Sequence, residues 1–238
     1  MATPYVTVHL TDVTSTQDAA LAEVRKRDGS TPVLVTADRQ SAGRGRSGRP
    51  WEQATVAVFA SLAWLPGWTA EDAAVLPLVA GLAVRSSVEL ITERTVTLKW
   101  PNDVLIGAAK VAGVLVERHD DVIVAGCGVN LWWDNPVAGG GSVLDDRPAP
   151  GTAATVADEW AAGLLDRIGR GPSGWGRGEY LEHCSTVGMD VTWEPSGRGT
   201  AVGIDERGGL VVMSDGLRTV LRAGEVGLVR PARFAPDV

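Results

Sequence analysis

Apolar positions along this 238-residue chain change period several times, and each change marks an element. Tyr5 to Leu10 reads as a strand. Ser15-Thr16-Gln17-Asp18 then opens an Ala/Leu-rich amphipathic stretch to about Arg27, with Ser15 or Thr16 as the N-cap. Thr31 to Ala37 is a short apolar run between turn signals, hence a strand, and Thr55 to Leu62 alternates like another. Thr69 to Asp72 has the form of a capping box ahead of a long apolar helix reaching about Leu90. Pro77 is either tolerated near its start or shifts that start.

From Val96 to Asn130 the pattern is extended again. Val96 to Lys99, Val104 to Ile106, Val111 to Glu117 and Val122 to Val129 are separated by Pro-Asn-Asp, Gly107-Ala-Ala and His119-Asp-Asp turns, which predicts an antiparallel meander. Asn135 to Gly151, with three consecutive glycines and several prolines, reads as a surface loop. A helix follows from about Thr152 to Ile168, and Gly174 to His183 forms another. After Thr186 come five short β segments with glycines between them: Val191–Trp193, Thr200–Ile204, Leu210–Met213, Leu217–Leu221 and Glu225–Val229. They predict a small β barrel of roughly 50 residues.

Composition narrows the function classes. A net charge of −7 gives the surface as a whole no footprint for nucleic acid. Cys127 and Cys184 have no C-x-x-C or Cys/His ligand spacing, so neither a metal site nor a disulfide framework is expected. No apolar run approaches the ~20 residues of a membrane span, and a soluble, cytoplasmic protein is the expectation. Of 22 basic residues only Lys26, Lys99 and Lys110 are lysine. Two of these three flank one short segment, which either needs an ammonium there or received it by chance.

The local exception to the acidic charge is Gly43-Arg-Gly-Arg-Ser-Gly-Arg-Pro-Trp51. Gly43, Gly45 and Gly48 fit G-x-G-x-x-G, but Pro50 and Trp51 follow where a dinucleotide fold would open its helix. The reading that remains is a flexible loop whose N–H groups and guanidinium forks close over an anion. The second chemical segment is Lys99-Trp-Pro-Asn-Asp103 with Lys110. Hairpin geometry brings Lys110 near Asp103, either as a plain ion pair or as a phosphate-facing lysine whose position the carboxylate fixes.

Four motifs occur in order: Arg39 to Trp51, Lys99 to Asp103, Lys110-Val-Ala-Gly-Val-Leu-Val-Glu117 and Gly126-Cys-Gly-Val-Asn130. Together they resemble the biotin–protein ligases, also called biotin–[acetyl-CoA-carboxylase] ligases. The resemblance extends to Ser15-Thr16 and to Gly199–Val229, where Gly203-Ile204-Asp205 and Gly224-Glu225-Val226 are similar to the family's SH3-like module. It implies an α+β fold: a mixed, largely antiparallel sheet with helices packed on it, in a catalytic domain (1–185) of the class II synthetase type. An SH3-like β barrel (186–238) would follow.

The activity implied has two steps. Biotin and MgATP give biotinyl-5′-AMP, and a lysine of the biotin carboxyl carrier domain of a biotin-dependent carboxylase then takes the biotin. Carried over position by position, Ser15, Thr16 and Gln40 match polar contacts to biotin's ureido ring, while Gly43, Arg44 and Arg46 match the loop closing on biotin and phosphate. Arg49 adds a cation beside the α-phosphate, Trp51 matches the cover over adenine, and Lys110 matches the lysine bonded to biotin's carboxyl and the α-phosphate. Asn102 and Asp103 match nucleotide-side residues, Gly113 and Gly128 a close backbone approach to biotin, and Asn130 a purine-side contact, while Lys99 is read either as a phosphate-side cation or as one standing behind the residues in contact. Lys110, Arg44, Arg46 and Asp103 would carry the chemistry, with no protein-bound metal beyond the Mg2+ of ATP.

No helix-turn-helix module precedes the first strand, so with the acidic charge no DNA partner is expected, nor any membrane; the oligomeric expectation is a monomer or weak homodimer. Cys127 is expected to be a buried, inert thiol. Of nine tryptophans, Trp51 and Trp100 fall in motifs and Trp132 near Asn130; the others are assigned to packing, and His9, His119 and His183 to surface or packing. Two competing readings are a lipoate–protein ligase on the same fold and a non-enzymatic arginine/glycine-loop binding module.

Overall fold

In a computed structural model of the chain, residues 3–222 and 229–231 are described. Seven strands build one sheet: β1 (Val6–Val13), β2 (Val33–Gln40), β3 (Val56–Trp64), β4 (Val96–Lys99), β5 (Asp103–Ile106), β6 (Ala109–His119) and β7 (Val122–Trp132). Their order is β1-β2-β3-β7-β6-β5-β4. Only β1 and β2 run parallel, joined by the helix α1 (Thr16–Lys26). The expected meander is present, and β7 closes against β3 with nine paired residues, Val56 to Trp64.

Period-two alternation sorts the two sheet faces. Leu34, Val58, Ala60, Leu62, Ile123, Ala125, Cys127 and Val129 belong to one core with α2 (Leu76–Glu89) and α3 (Thr152–Gly169). Val33, Val35, Ala63, Val122 and Val124 point the other way, to Ala20 and Val24 of α1. Central strands covered on both faces lose the exposed-polar half of the alternation, and β3 is accordingly buried without interruption from Val58 to Trp64.

Three boundaries differ from expectation for local reasons. Thr69 does cap a turn, with the Asp72 N–H donating to Thr69 Oγ1 at 3.1 Å. That turn is a 3-10 segment, Asp72–Val75, and Pro77 sets the α-helix to begin only at Leu76. Gly176, at φ 95°, breaks the expected 174–183 helix into a 3-10 turn and α4 (Arg177–His183). The segment 135–151 is not wholly superficial. Val143 is completely buried, and the N–H groups of Val143 and Leu144 donate to Asn130 and Leu131 of β7.

The remaining strands, β8 (Asp190–Trp193), β9 (Gly197–Ile204), β10 (Leu210–Ser214), β11 (Leu217–Leu221) and β12 (Val229–Pro231), form a second, antiparallel sheet in the order β11-β10-β9-β8-β12. The expected segment Glu225–Val229 lies mostly outside the described residues. Val191, Ala201, Ile204, Leu210 and Val212 join the same core as α2 and α3. The turn between β9 and β10 is gripped from the first sheet's side: Trp100 Nε1 donates to Gly208 O at 2.9 Å, Trp175 Nε1 to Glu206 O at 2.9 Å and Arg177 Nε to Ile204 O at 2.7 Å. Among the described residues no helix is long and apolar enough to cross a membrane.

Candidate active site

The face of the large sheet that carries α1 is only partly covered by it. Beyond the N-terminus of α1 the inward positions change from valine to small residues: Gly126 and Gly128 on β7, Ser61 on β3 and Gly113 on β6. A cavity of about 210 Å³ stands on this floor. Small residues are required here, since a methyl group on Gly126 would lie 2.7 Å from Gln17 Oε1 and one on Gly128 2.6 Å from Trp51.

One end of the cavity is a chain of hydrogen bonds. Ser61 Oγ donates to Thr16 Oγ1 at 2.8 Å, and Thr16 donates to Gln40 Oε1 through both its hydroxyl (3.0 Å) and its backbone N–H (2.8 Å). Ser15 and Thr16 are buried, and Ser15 makes no side-chain cap bond, so its place is in the cavity wall rather than at the helix end.

A second wall is the arginine segment, whose neck at Gly43 adjoins Gln40. It is folded as a small hairpin: Gly45 N–H donates to Arg49 O at 2.7 Å, Trp51 N–H to Gly43 O at 2.9 Å, and Arg44 bridges Pro50. A 3-10 turn at its tip places Ser47 at φ 57° and Gly48 at φ 69°. The left-handed backbone at 48 is the position in this turn that calls for glycine.

The cations divide into two groups. Arg44 turns away from the cavity's centre and forks onto Asp18 with bonds of 2.6 and 2.9 Å, which holds the Asp18 carboxyl below its ordinary range and raises the guanidinium. Arg46 points inward, and its Nη1 donates to Asn102 Oδ1 at 3.4 Å. Burial pulls Arg46 below the usual guanidinium value, Asp103 opposes that shift, and Arg49 adds to it. Lys110 Nζ lies 2.5 Å from Asp103 Oδ1 and 5.0 Å from the Trp51 ring centroid. Its backbone is fixed from outside the sheet, donating to Gly139 O at 3.2 Å and accepting from Gly141 N at 2.9 Å. Asn102 in turn is locked to β6 by reciprocal bonds with the Val114 backbone, each 2.9 Å.

Twelve of the residues expected from sequence line this one cavity: Ser15, Thr16, Gln40, Arg44, Arg46, Arg49, Trp51, Asn102, Asp103, Lys110, Gly113 and Gly128. Gly43, Lys99 and Asn130 do not. Gly43 supports the hairpin's neck. Lys99 lines an adjoining cavity that shares Asp103 and Lys110 with the first. Asn130 is buried on the floor side of β7 with an unpartnered Oδ1. Gly113 and Gly128 both lie under the indole of Trp51, so the close approach they permit is made here by that ring.

Sequence reasoning missed Gln17, Ser61 and Gly126. Ser61, a lone hydroxyl in the run Val-Phe-Ala-Ser-Leu-Ala-Trp, is the signal that was there to be read. Cys127 points from β7 into the helical core, where burial pushes its thiol far up.

The arrangement joins a hydrogen-bonding head, a glycine floor, an aromatic lid and inward cations. It suits a small, flat polar ring carrying an acidic tail beside a phosphate. Residues 10–131 match the model of the biotin/lipoate A/B protein ligase family. A biotin–[acetyl-CoA-carboxylase] ligase of Paracoccus denitrificans is 31% identical over 89% of this chain and 96% of its own length. One of Mycobacterium tuberculosis is 32% identical over 82% of this chain and 78% of its length. Among solved structures, the biotin protein ligase of Aquifex aeolicus in complex with biotin and ATP superposes with a TM-score of 0.79, at 27% identity, over 95% of this chain and 99% of that one.

Proposed function

Because the chain belongs to the biotin/lipoate A/B protein ligase family, we infer that its cavity performs the ATP-dependent ligation of biotin to protein. The enzyme is a biotin–[acetyl-CoA-carboxylase] ligase. The observation that carries the reading is the convergence, over one glycine floor, of the Ser61–Thr16–Gln40 chain at one end and Arg46, Arg49 and Lys110 at the other.

In the first step a carboxylate oxygen of biotin attacks the α-phosphorus of ATP. The bond to the bridging oxygen of the β-phosphate breaks, and pyrophosphate leaves. Both reactants are anionic, so the attack needs cations already in place; Lys110, pinned by Asp103 and by the Gly139–Gly141 backbone, and Arg46, steadied by Asn102, supply them without reorganising. Trp51 and the hairpin exclude water from the mixed anhydride. In the second step a carrier lysine attacks the acyl carbon, the carbon–oxygen bond to phosphate breaks, and AMP departs. Mg2+ enters as part of the nucleotide substrate.

Finer readings accompany this one. We assign Gln40, Ser15 and Thr16 to the ureido ring, Asn130 and Trp51 to the purine, and Lys99, in the adjoining cavity, to the leaving phosphates. The acceptor is the carrier domain of a biotin-dependent carboxylase, the location cytoplasmic, and the oligomeric state a monomer or weak homodimer. Residues 186–238 make an SH3-like unit, and 1–185 the catalytic one. The experiment is exchange of labelled pyrophosphate into ATP by the purified protein with biotin or lipoate and MgATP. Exchange with biotin is expected, and exchange with lipoate alone would overturn the reading.

A further inference from the structure

Three consecutive glycines, 139–141, have three different reasons to be glycine. Gly139 lines the adjoining cavity with Lys99, Asp103 and Lys110, and its φ of 79° is a left-handed backbone that glycine adopts at little cost. A methyl group on Gly140 would lie 2.3 and 2.8 Å from atoms of the Trp133 ring. One on Gly141 would lie 2.6 Å from the Ala109 side chain. The partly buried indole of Trp133 is thus seated directly on the backbone at 140.

The segment these glycines open takes over where the sheet comes apart. The ladder between β6 and β7 ends at the pair Ala112–Val129, so neither Lys110 nor Asn130 has the other strand as its neighbour. Residues 139–144 bond to both strands instead. Lys110 N–H donates to Gly139 O and Gly141 N–H to Lys110 O, while the N–H groups of Val143 and Leu144 donate to Asn130 O and Leu131 O at 2.9 and 3.0 Å. Arg94 Nη1 holds the middle of this strap from outside, donating to Ser142 O at 3.2 Å. The strap therefore sets where the root of the Lys110 side chain lies, whereas Asp103 holds only its tip.

We propose that Trp133 is a positioning residue for the reaction: its ring, seated on Gly140, holds the strap against β6 and so places the Lys110 ammonium. The proposal rests on the reading of Lys110 as the cation at the α-phosphate. Three glycines alone are poorly suited to fix a strand edge, because glycine loses the most conformational freedom on ordering and brings no side chain to pack. An aromatic ring laid over them supplies the missing contact area. The absence of a side chain at 140 is what lets the ring come that close.

The test is biotin-dependent exchange of labelled pyrophosphate by the full chain, resolved into kcat and the biotin KM, alongside a thermal melt. Trp133→Ala is expected to lower kcat about ten- to hundredfold, the cost of displacing a catalytic group by about 1 Å, with the biotin KM unchanged. Trp133→Phe keeps a ring over Gly140 and should recover most of that loss. Gly140 lies outside the left-handed region, so Gly140→Ala meets only the ring; it should lower kcat alike, and combining it with Trp133→Ala should cost nothing beyond the latter. In Lys110→Met, which has no ammonium to place, adding Trp133→Ala should cost at most about twofold more. An unchanged kcat in folded Trp133→Ala or Gly140→Ala, or the same fractional loss with methionine at 110, overturns the proposal; Gly140→Ala decides on its own if Trp133→Ala unfolds. Near-normal exchange by Lys110→Met overturns the reading of that lysine, and a wild type inert toward biotin overturns the functional reading, so the three failures are told apart.

Discussion

Replacing Lys110 by methionine separates what the ammonium does for the fold from what it does for the chemistry. The Lys110–Asp103 side chains are 35% and 22% exposed, and an ion pair of that accessibility contributes about 0–1 kcal/mol after screening. The cation over Trp51, at 5.0 Å, adds a fraction of about 1 kcal/mol, and the unbranched methionine keeps the apolar contact with the ring. A loss near 1 kcal/mol lowers Tm by about 2–4 °C in a chain of this size. The reaction is far more sensitive. A preorganised donor at a developing anion is worth about 10²–10³ in kcat, and Lys110 is held from three sides in the resting protein. The assay is biotin-dependent exchange of labelled pyrophosphate alongside a thermal melt. Activity reduced by two to three orders of magnitude with a near-native melt is the expected result. A loss below about tenfold, or one that simply follows a collapsed melt, would refute the assignment of Lys110 to the α-phosphate.

Three further outcomes follow from the geometry. Arg44 holds the Asp18 carboxyl below its ordinary value, so the pair is intact at neutral pH and is lost as pH falls below the usual carboxylate range through that depressed value. Asp18→Asn should therefore reproduce the acid effect at pH 7, with faster amide hydrogen exchange across 43–51, and unaltered exchange would sever the hairpin from that pair. Trp100→Phe leaves the Gly208 carbonyl unpaired in a buried interface, a cost of about 1–3 kcal/mol, read as a Tm drop of about 2–12 °C. Cys127, with its thiol pushed up by burial in the core, should resist a thiol reagent in the native protein and react on denaturation; rapid native labelling of that residue would place it wrongly.

The strands from Val96 onward were legible because each is bounded by turn chemistry and the segments between are short. Val56–Trp64 was legible as a strand but not as a fully buried one. Alternation reports exposure on one face, and β3 has α3 on one side and α1 with the cavity floor on the other, which only the assembled sheet reveals. Asn135–Gly151 misled for a related reason. Its glycines and prolines do describe irregular backbone, but backbone irregularity is no bar to burial when the N–H groups of Val143 and Leu144 find carbonyls on β7. Thr69 shows a correct local signal with the wrong consequence, since the cap is made but the proline eight residues on decides where the α-helix starts.

The candidate site divides along the same line. Residues that act through charge or a motif, such as Arg46, Lys110 and Asn102, could be named from their order in the chain. Residues whose place in the cavity is set by partners far along the chain could not. Gln17 looks from sequence like one more polar residue in a helix's first turn, and its orientation depends on two acceptors, Leu115 O and Glu117, about a hundred residues away. Arg44 shows the converse. Sequence places it among the cations that neutralise phosphate, yet its fork is taken up by Asp18 in the resting hairpin. Its contribution to binding an anion is thus offset by what that pair already gains, whereas Arg46, facing inward and partly desolvated, has its field directed into the cavity. Two arginines spaced two residues apart in one motif consequently have different surroundings: Arg44 fastens the wall of the cavity to Asp18, and Arg46 faces its interior beside Asn102.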